Sequence, residues 1–196
     1  MCIDPACMQK EIENHIKGIQ DTIIAAMHNH DIWWIYKNRD TRQQYIDVMN
    51  AYLGFFQTSI HAHFVAMIIA LYRLYETRRD TISFPQLLRL LEFNQSLSSD
   101  AQVQIERLMQ EAKPIWIKIG TIRSAVFAHL SNEREIGESF TKADLKYRHV
   151  KDLIELSKTI INTITRDYSR STEAFNLSAE SDTITLLTDL SGIRKG

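Results

Sequence analysis

The chain has 196 residues, of which 44% are hydrophobic and 24% are charged, and its formal net charge is -1 at pH 7. This length is enough to bury a core without covalent staples, and the balanced charge argues against a protein that binds nucleic acid through a globally basic surface. Only six glycines and three prolines interrupt the sequence. Long periodic segments with so few turn residues predict an all-α fold, an antiparallel bundle of about four to six helices in a single domain.

The first part of the chain predicts a flexible tail followed by an amphipathic helix. Residues 1–8 form the tail, and its two cysteines, the only ones in the sequence, are expected to be simple thiols rather than a metal or redox pair. In residues 9–38, isoleucines recur every three or four positions, which predicts a helix to about His30. The short apolar piece that contains Trp33 and Trp34 then predicts packing against the bundle or against a partner chain.

Residues 40–175 are predicted to form the core of the helical bundle. Asp40 is expected to cap a helix that continues to about Glu76, and the run from Phe64 to Tyr72 is apolar nearly all round. That run is too short to cross a bilayer and predicts a buried helix. Because the chain also starts without a basic segment followed by an apolar one, we expect a cytoplasmic protein that does not engage a membrane.

Three further helices complete the predicted bundle. Ser83 and Gln86 form a candidate capping box for a helix to about Phe93, and Ser99 is expected to cap a long helix. Pro114 should kink or split that long helix. Thr141 is the expected cap of the last long helix. The final segment, residues 176–196, predicts a linker and a short docking helix.

The candidate chemistry lies at the end of the Ser99 helix, at Arg123 and His129. Arginine is a permanent cation whose forked donors suit phosphate, and histidine titrates near neutral pH, so the pair indicates phosphate-ester chemistry. On a helical wheel at ~100° per residue the two side chains flank the apolar stripe, about 120° apart. They converge only if Arg123 wraps across the helix or if the helix loosens before His129. The structural alternative is a surface arginine and a histidine that favours the negative end of a helix.

These residues carry a family resemblance. Arg123 and His129 with five residues between them, the ending Val126-Phe127-Ala128-His129, and the runs Leu71–Glu76 and Ile82–Phe84 resemble the abortive-infection U-type branch of the HEPN superfamily. The resemblance covers roughly residues 43–193. It implies a homodimer in which both Arg/His motifs face a shared cleft and cleave RNA without a metal or other cofactor. His129 would transfer protons, and Arg123 would hold the phosphate.

The sequence departs from the family at one position. The residue after the arginine is commonly Asn or Asp in this superfamily, whereas here it is Ser124, whose hydroxyl is shorter and orients a neighbour less strongly. Loss of cleavage with retention of RNA or nucleotide binding is therefore an open alternative. A third alternative is a helical adaptor that recruits a partner through Trp33 and Trp34.

Several other residues are candidates for contacts around the motif. Gly120, Ser124 and Ala128 form a row of small residues that predicts close approach of a second helix, either within the bundle or across a dimer. The possible RNA rim, which could equally be a solvated helix start balanced by nearby carboxylates, consists of Arg134, Lys142, Lys146 and Arg148.

The two residues of each histidine pair, 28/30 and 61/63, point to opposite faces of a helix, so we expect no metal site. An antitoxin or other regulatory protein is a further expected partner.

Overall fold

The computed structural model of the protein describes residues 5–128 and 141–195, and in these residues it contains helices and no strand. The predicted all-α fold is thereby confirmed. The helices are α1 (Pro5–Lys37), α2 (Arg39–Gln44), α3 (Ile46–Ala51), α4 (Leu53–Leu74), α5 (Phe84–Phe93), α6 (Ser99–Ala128), α7 (Tyr147–Ser169) and α8 (Glu180–Lys195).

The chain divides into two compact units, and the candidate motif belongs to the first. This first unit comprises Met1–Ile23 and Ile68–Phe175. Within it α6 packs on α7, and both helices bury a stripe of positions three or four residues apart, as expected for amphipathic bundle helices. The buried hydrophobic positions are Ala101, Ile105, Leu108, Ala112, Ile119 and Ile122 of α6 and Val150, Leu153, Ile154, Ile160, Ile161 and Ile164 of α7.

The second unit comprises Ile24–Met67 and Asn176–Gly196. Its core forms around Tyr36, Tyr45, Met49 and Phe56, and the side chain of Leu187 from α8 is buried among them. The hydroxyl of Tyr45 also lies 2.8 Å from Thr188 Oγ1. The carboxyl-terminal segment was expected to contain a docking helix, and α8 packs against α3 within this unit.

Two predicted helix boundaries near the start of the chain are wrong. Helix α1 does not end near His30 but continues through Trp33 to Lys37, and the Trp33 ring packs 5.6 Å from the Phe64 ring. The helix expected from Asp40 to Glu76 is instead broken at Tyr45 and Tyr52, whose φ angles are -114° and -115°. At the first of these breaks the buried Tyr45 contacts Thr188 of α8, so packing against a residue distant in sequence overrides the local helical pattern there.

The predicted caps of the later helices also need correction. The side chains of Ser83 and Gln86 do not form a capping box, because they donate hydrogen bonds to the backbone carbonyls of Glu76 and Thr77, at 2.7 and 3.0 Å. Residues 141–143 form a separate helical turn, and the left-handed backbone of Asp144 (φ 45°) ends it, so α7 begins at Tyr147 rather than at Thr141.

Two further expectations concerned the long helices α6 and α4. Helix α6 is continuous through Pro114, so this proline does not split the helix. Helix α4 is, among the described residues, the one helix long and apolar enough to span a membrane by length and composition, and 22% of its most apolar window is buried. Its later residues Met67 and Leu71 are buried, whereas Leu53 and Phe55 near its start are 51% and 59% exposed.

The prediction that the two cysteines near the start of the chain are simple thiols is also wrong. Cys7 is disulfide-bonded, and Cys2, the only other cysteine of the sequence, lies outside the described residues.

Candidate functional site

Arg123 lies on α6, one residue after the buried Ile122, and is itself half-buried. Its guanidinium carbon is 4.4 Å from the centroid of the Tyr72 ring, which belongs to the end of α4. A cation at this distance from an aromatic face is attracted by the ring quadrupole, by about 0.5–2 kcal/mol depending on exposure. Tyr72 therefore restrains the position of the Arg123 charge. Because an aromatic ring has no net charge, this contact does not neutralise it.

Trp116 and Gly120 hold the Tyr72 ring against α6. The Trp116 and Tyr72 rings are stacked, with centroids 5.7 Å apart and planes 29° apart, and Trp116 Nε1 donates a hydrogen bond to the Tyr72 carbonyl at 3.2 Å. A Cβ added at Gly120 would lie 3.4 Å from Tyr72 Cε2. Trp116, Gly120 and Arg123 are spaced four and three residues apart and so share one face of α6.

The predicted row of small residues has different surroundings at each position. Gly120 faces Tyr72 of the same chain, so its small size has an explanation within the first unit. Ser124 is exposed. The side chain of Ala128 lies outside the described residues. A contact between two copies of the chain at Ser124 and Ala128 remains a prediction.

His129 and Arg134 lie outside the residues that the structure describes. Helix α6 is continuous from Ser99 to Ala128. The loosening of the helix that was one way to bring Arg123 toward His129 therefore does not occur between Arg123 and Ala128.

The structure describes three of the four residues of the predicted RNA rim. Lys142 is exposed, and Arg148 lies 3.9 Å from Asp152. Lys146 Nζ lies 3.6 Å from Asp144 Oδ1, and exposed pairs of this kind add little stability. These residues therefore line a solvated surface that carries both signs of charge.

Lys118 is a member of this surface that the sequence pattern did not reveal. Its Nζ donates to Asp144 at the backbone carbonyl (3.1 Å) and at Oδ2 (3.4 Å), although 26 positions separate the two residues. The hydrogen bond from Lys118, together with the charges of Lys146 and Lys118, lowers the pKa of the Asp144 carboxyl. Two lysines thus share one carboxylate beside the start of α7.

Two histidines of the second unit have local partners. His30 is buried and lies 3.4 Å from Asp31, and His63 Nδ1 donates to Asn29 Oδ1 at 2.8 Å. Burial lowers the pKa of His63. In the described part of the chain, no three His, Cys, Asp or Glu side chains gather into a group that could hold a metal ion.

A family model described as AbiU2, of the HEPN type, matches residues 9–186. The chain belongs to the HEPN AbiU2 family. The match spans Arg123, Ser124 and His129 and confirms the resemblance drawn from the sequence. Neither the curated proteins nor the solved structures contain a match to the chain.

As a HEPN protein, the chain is a nucleotide-binding or ribonuclease-like module. Of the predicted pair, Arg123 is the residue whose surroundings are described: a half-buried cation beside the ring of Tyr72. Sequence reasoning missed Tyr72 and Trp116. The spacing of Trp116, Gly120 and Arg123 on one helix face was the available signal, because a glycine between an aromatic residue and a cation leaves room for a ring from another helix.

Proposed function

We propose that this HEPN AbiU2 protein is a metal-independent endoribonuclease of the toxin-like antiphage type, with its reaction site in a cleft between two copies of the chain. The observation that supports this proposal best is the placement of Arg123. A half-buried guanidinium whose position is restrained by an aromatic ring is oriented before a ligand arrives, which favours the binding of an anionic phosphate.

The proposed reaction is an internal transesterification of RNA. One copy of His129 accepts the proton of a ribose 2'-hydroxyl as its oxygen forms a bond to the adjacent phosphorus. The bond from phosphorus to the 5'-oxygen breaks, and the second copy of His129 gives that oxygen a proton. Arg123 binds the phosphate and stabilises the charge that develops on its non-bridging oxygens. The products are a 2',3'-cyclic phosphate and a 5'-hydroxyl.

A second candidate function rests on Ser124. This side chain is exposed and replaces the Asn or Asp that is common after the HEPN arginine. Without the longer side chain to orient a neighbour, a HEPN dimer can bind RNA or a nucleotide and not cleave it. In that case the protein is a binding or regulatory module that uses the same arginine.

The test is RNA cleavage in EDTA by the purified protein and by the Arg123→Ala and His129→Ala variants. Cleavage should leave 2',3'-cyclic ends, and each substitution should slow it by about a hundredfold or more, as is typical for the loss of an acid/base group or of a charge-stabilising donor. Arg107→Ala is the matched control, because Arg107 is an exposed arginine on the same helix and pairs with Glu111 at 3.8 Å.

The outcomes separate the two candidates. If the wild type does not cleave RNA, or if all variants cleave equally, the nuclease proposal fails. RNA binding without cleavage, weakened by Arg123→Ala and His129→Ala but not by Arg107→Ala, would establish the binding module instead. The molar mass in solution is a separate test, because a monomer at micromolar concentration would contradict a shared cleft.

A further inference from the structure

A cavity that does not include Arg123 lies in the first unit, between the start of α1 and helix α5. It is a cavity of about 360 Å³ whose lining includes Glu11 and His15 of α1, Arg79 of the turn after α4, and Arg89, Leu90 and Phe93 of α5. This volume is in the range of pockets that hold small molecules. None of its lining residues belongs to the cluster around Arg123.

Close packing fixes the walls of this cavity. An added Cβ at Gly18, one turn after His15, would lie 2.9 Å from Ile82 Cγ2, so α1 lies directly against the turn that carries Arg79. The buried side chain of Gln86 donates to the Thr77 carbonyl, and Ser83 Oγ donates to the Glu76 carbonyl, at the other end of that turn. The helix α1 and the turn between α4 and α5, which line the cavity, are therefore held in place by their packing and hydrogen bonds.

The cavity has an excess of positive charge. Within residues 5–128 and 141–195, neither Arg79 nor Arg89 has a carboxylate at ion-pair distance. The neighbouring Arg78, by contrast, pairs with Asp80 through two hydrogen bonds of 3.1 and 2.6 Å. Glu11 is the one carboxylate in the lining, so two guanidinium groups face one negative charge. An anion bound between the two arginines would restore the balance.

An apolar wall lies beside these charges. Leu90 and Phe93 of α5 line the cavity together with Arg89, and Phe93 is 69% exposed. An exposed aromatic ring next to unneutralised arginines suits a ligand with an anionic end and a flat apolar end. Glu11 would accept a hydrogen bond from a hydroxyl or amino group between them.

We propose that this cavity binds a small phosphate monoester with a flat apolar substituent. Arg79 and Arg89 bind the phosphate, and the substituent lies against Phe93 and Leu90. The proposal does not depend on the nuclease function, because it uses none of the residues of that site.

The test is calorimetric titration of the full chain with phenyl phosphate as the probe, compared with phenol and with inorganic phosphate. Phenyl phosphate should bind more tightly than either. Arg79→Gln and Arg89→Gln should each weaken its binding by about tenfold or more, the usual effect of losing a charge-assisted hydrogen bond. Phe93→Ala should reduce the affinity to that of inorganic phosphate. Arg78→Gln is the matched control and should change nothing, since Arg78 pairs with Asp80 and does not line the cavity.

Three results would overturn the proposal. The first is no binding of phenyl phosphate by a wild-type protein with a cooperative melting transition. The second is equal binding of phenyl phosphate and inorganic phosphate, or equal loss in all three arginine variants. The third is binding of a short single-stranded RNA that Arg79→Gln and Arg89→Gln weaken while phenyl phosphate does not bind, which would assign the cavity to nucleic acid. No arm measures RNA cleavage, so failure here leaves the nuclease proposal unaffected.

Discussion

Two tyrosines three residues apart in the first unit have opposite surroundings. Tyr75 is 4% exposed, and its hydroxyl lies 2.8 Å from Ser157 Oγ, which itself donates to the Leu153 carbonyl at 2.7 Å. Because the serine proton is used in that bond, Tyr75 donates to Ser157. Burial raises the pKa of Tyr75 far above its ordinary value, and the bond with Ser157 offsets only part of that effect. Tyr72 is half-buried and uses its ring face to restrain Arg123.

The two tyrosines therefore have different roles: Tyr75 stabilises the core, and Tyr72 positions a charged side chain. The polar group of Tyr75 is fully paired inside the core, so its contribution is to stability. Tyr72 contributes its ring to a charged group at the edge of the core, so its main effect should be on what Arg123 binds. We therefore expect substitutions of the two tyrosines to separate stability from function.

The largest effect is expected for Tyr75→Ala. Loss of a buried aromatic side chain should lower the free energy of unfolding by about 3–5 kcal/mol, and Tyr75→Phe should lower it by only about 1 kcal/mol, because it removes one hydrogen bond. Denaturant unfolding measures both. RNA cleavage per folded molecule should stay at the wild-type level, and a specific loss of cleavage in Tyr75→Phe would abolish the distinction between the two tyrosines.

The second effect is expected for Tyr72→Leu, and it depends on the proposed nuclease activity. Without the ring, Arg123 loses its restraint, and single-turnover cleavage should slow by about tenfold, in line with the strength of a cation–π contact. Tyr72→Phe keeps the ring face and should restore the rate. If Phe and Leu at this position behave alike, Tyr72 does not position Arg123 through its ring.

A smaller effect is expected for Gly120→Leu. A Cβ at this position would already contact Tyr72 Cε2 at 3.4 Å, so the further atoms of leucine should displace the ring and slow cleavage by about a few-fold. Gly54→Leu is the control, because no atom lies within 4 Å of a Cβ added at Gly54. Equal rates in the two variants would show that contact with Tyr72 at this point does not affect the reaction.

The smallest effect concerns pH and extends the comparison to the second unit. Burial lowers the pKa of His63 below 6.5, so the folded protein binds fewer protons than the unfolded chain as the pH falls through that value. Stability should therefore decrease between pH 6.5 and the lowered pKa. His63→Gln should reduce this slope in urea titrations, whereas His61→Gln, at an exposed position on the same helix, should not. A slope unchanged by His63→Gln would contradict the prediction.

The comparison also shows what the sequence could and could not predict. Periodicity identified the buried stripes of α6 and α7, because burial on one helix face leaves a pattern in the sequence. It placed Tyr72 at the end of an apolar run, but the contact with Arg123 depends on a helix about fifty residues away. The start of α7 was misplaced for a similar reason, since the left-handed backbone of Asp144 and its bond to Lys118 are set by tertiary contacts.

The bond between Lys118 and Asp144, with the packing of α6 on α7, joins two points of the chain that lie 26 positions apart, on either side of the predicted motif Arg123 and His129. The entropy of closing a flexible segment grows only with the logarithm of its length, so each doubling of such a segment costs about 0.6 kcal/mol. Insertions after the motif are therefore cheap for the fold. A change in the length of the segment after α6 should therefore leave the contact between Arg123 and Tyr72 in place.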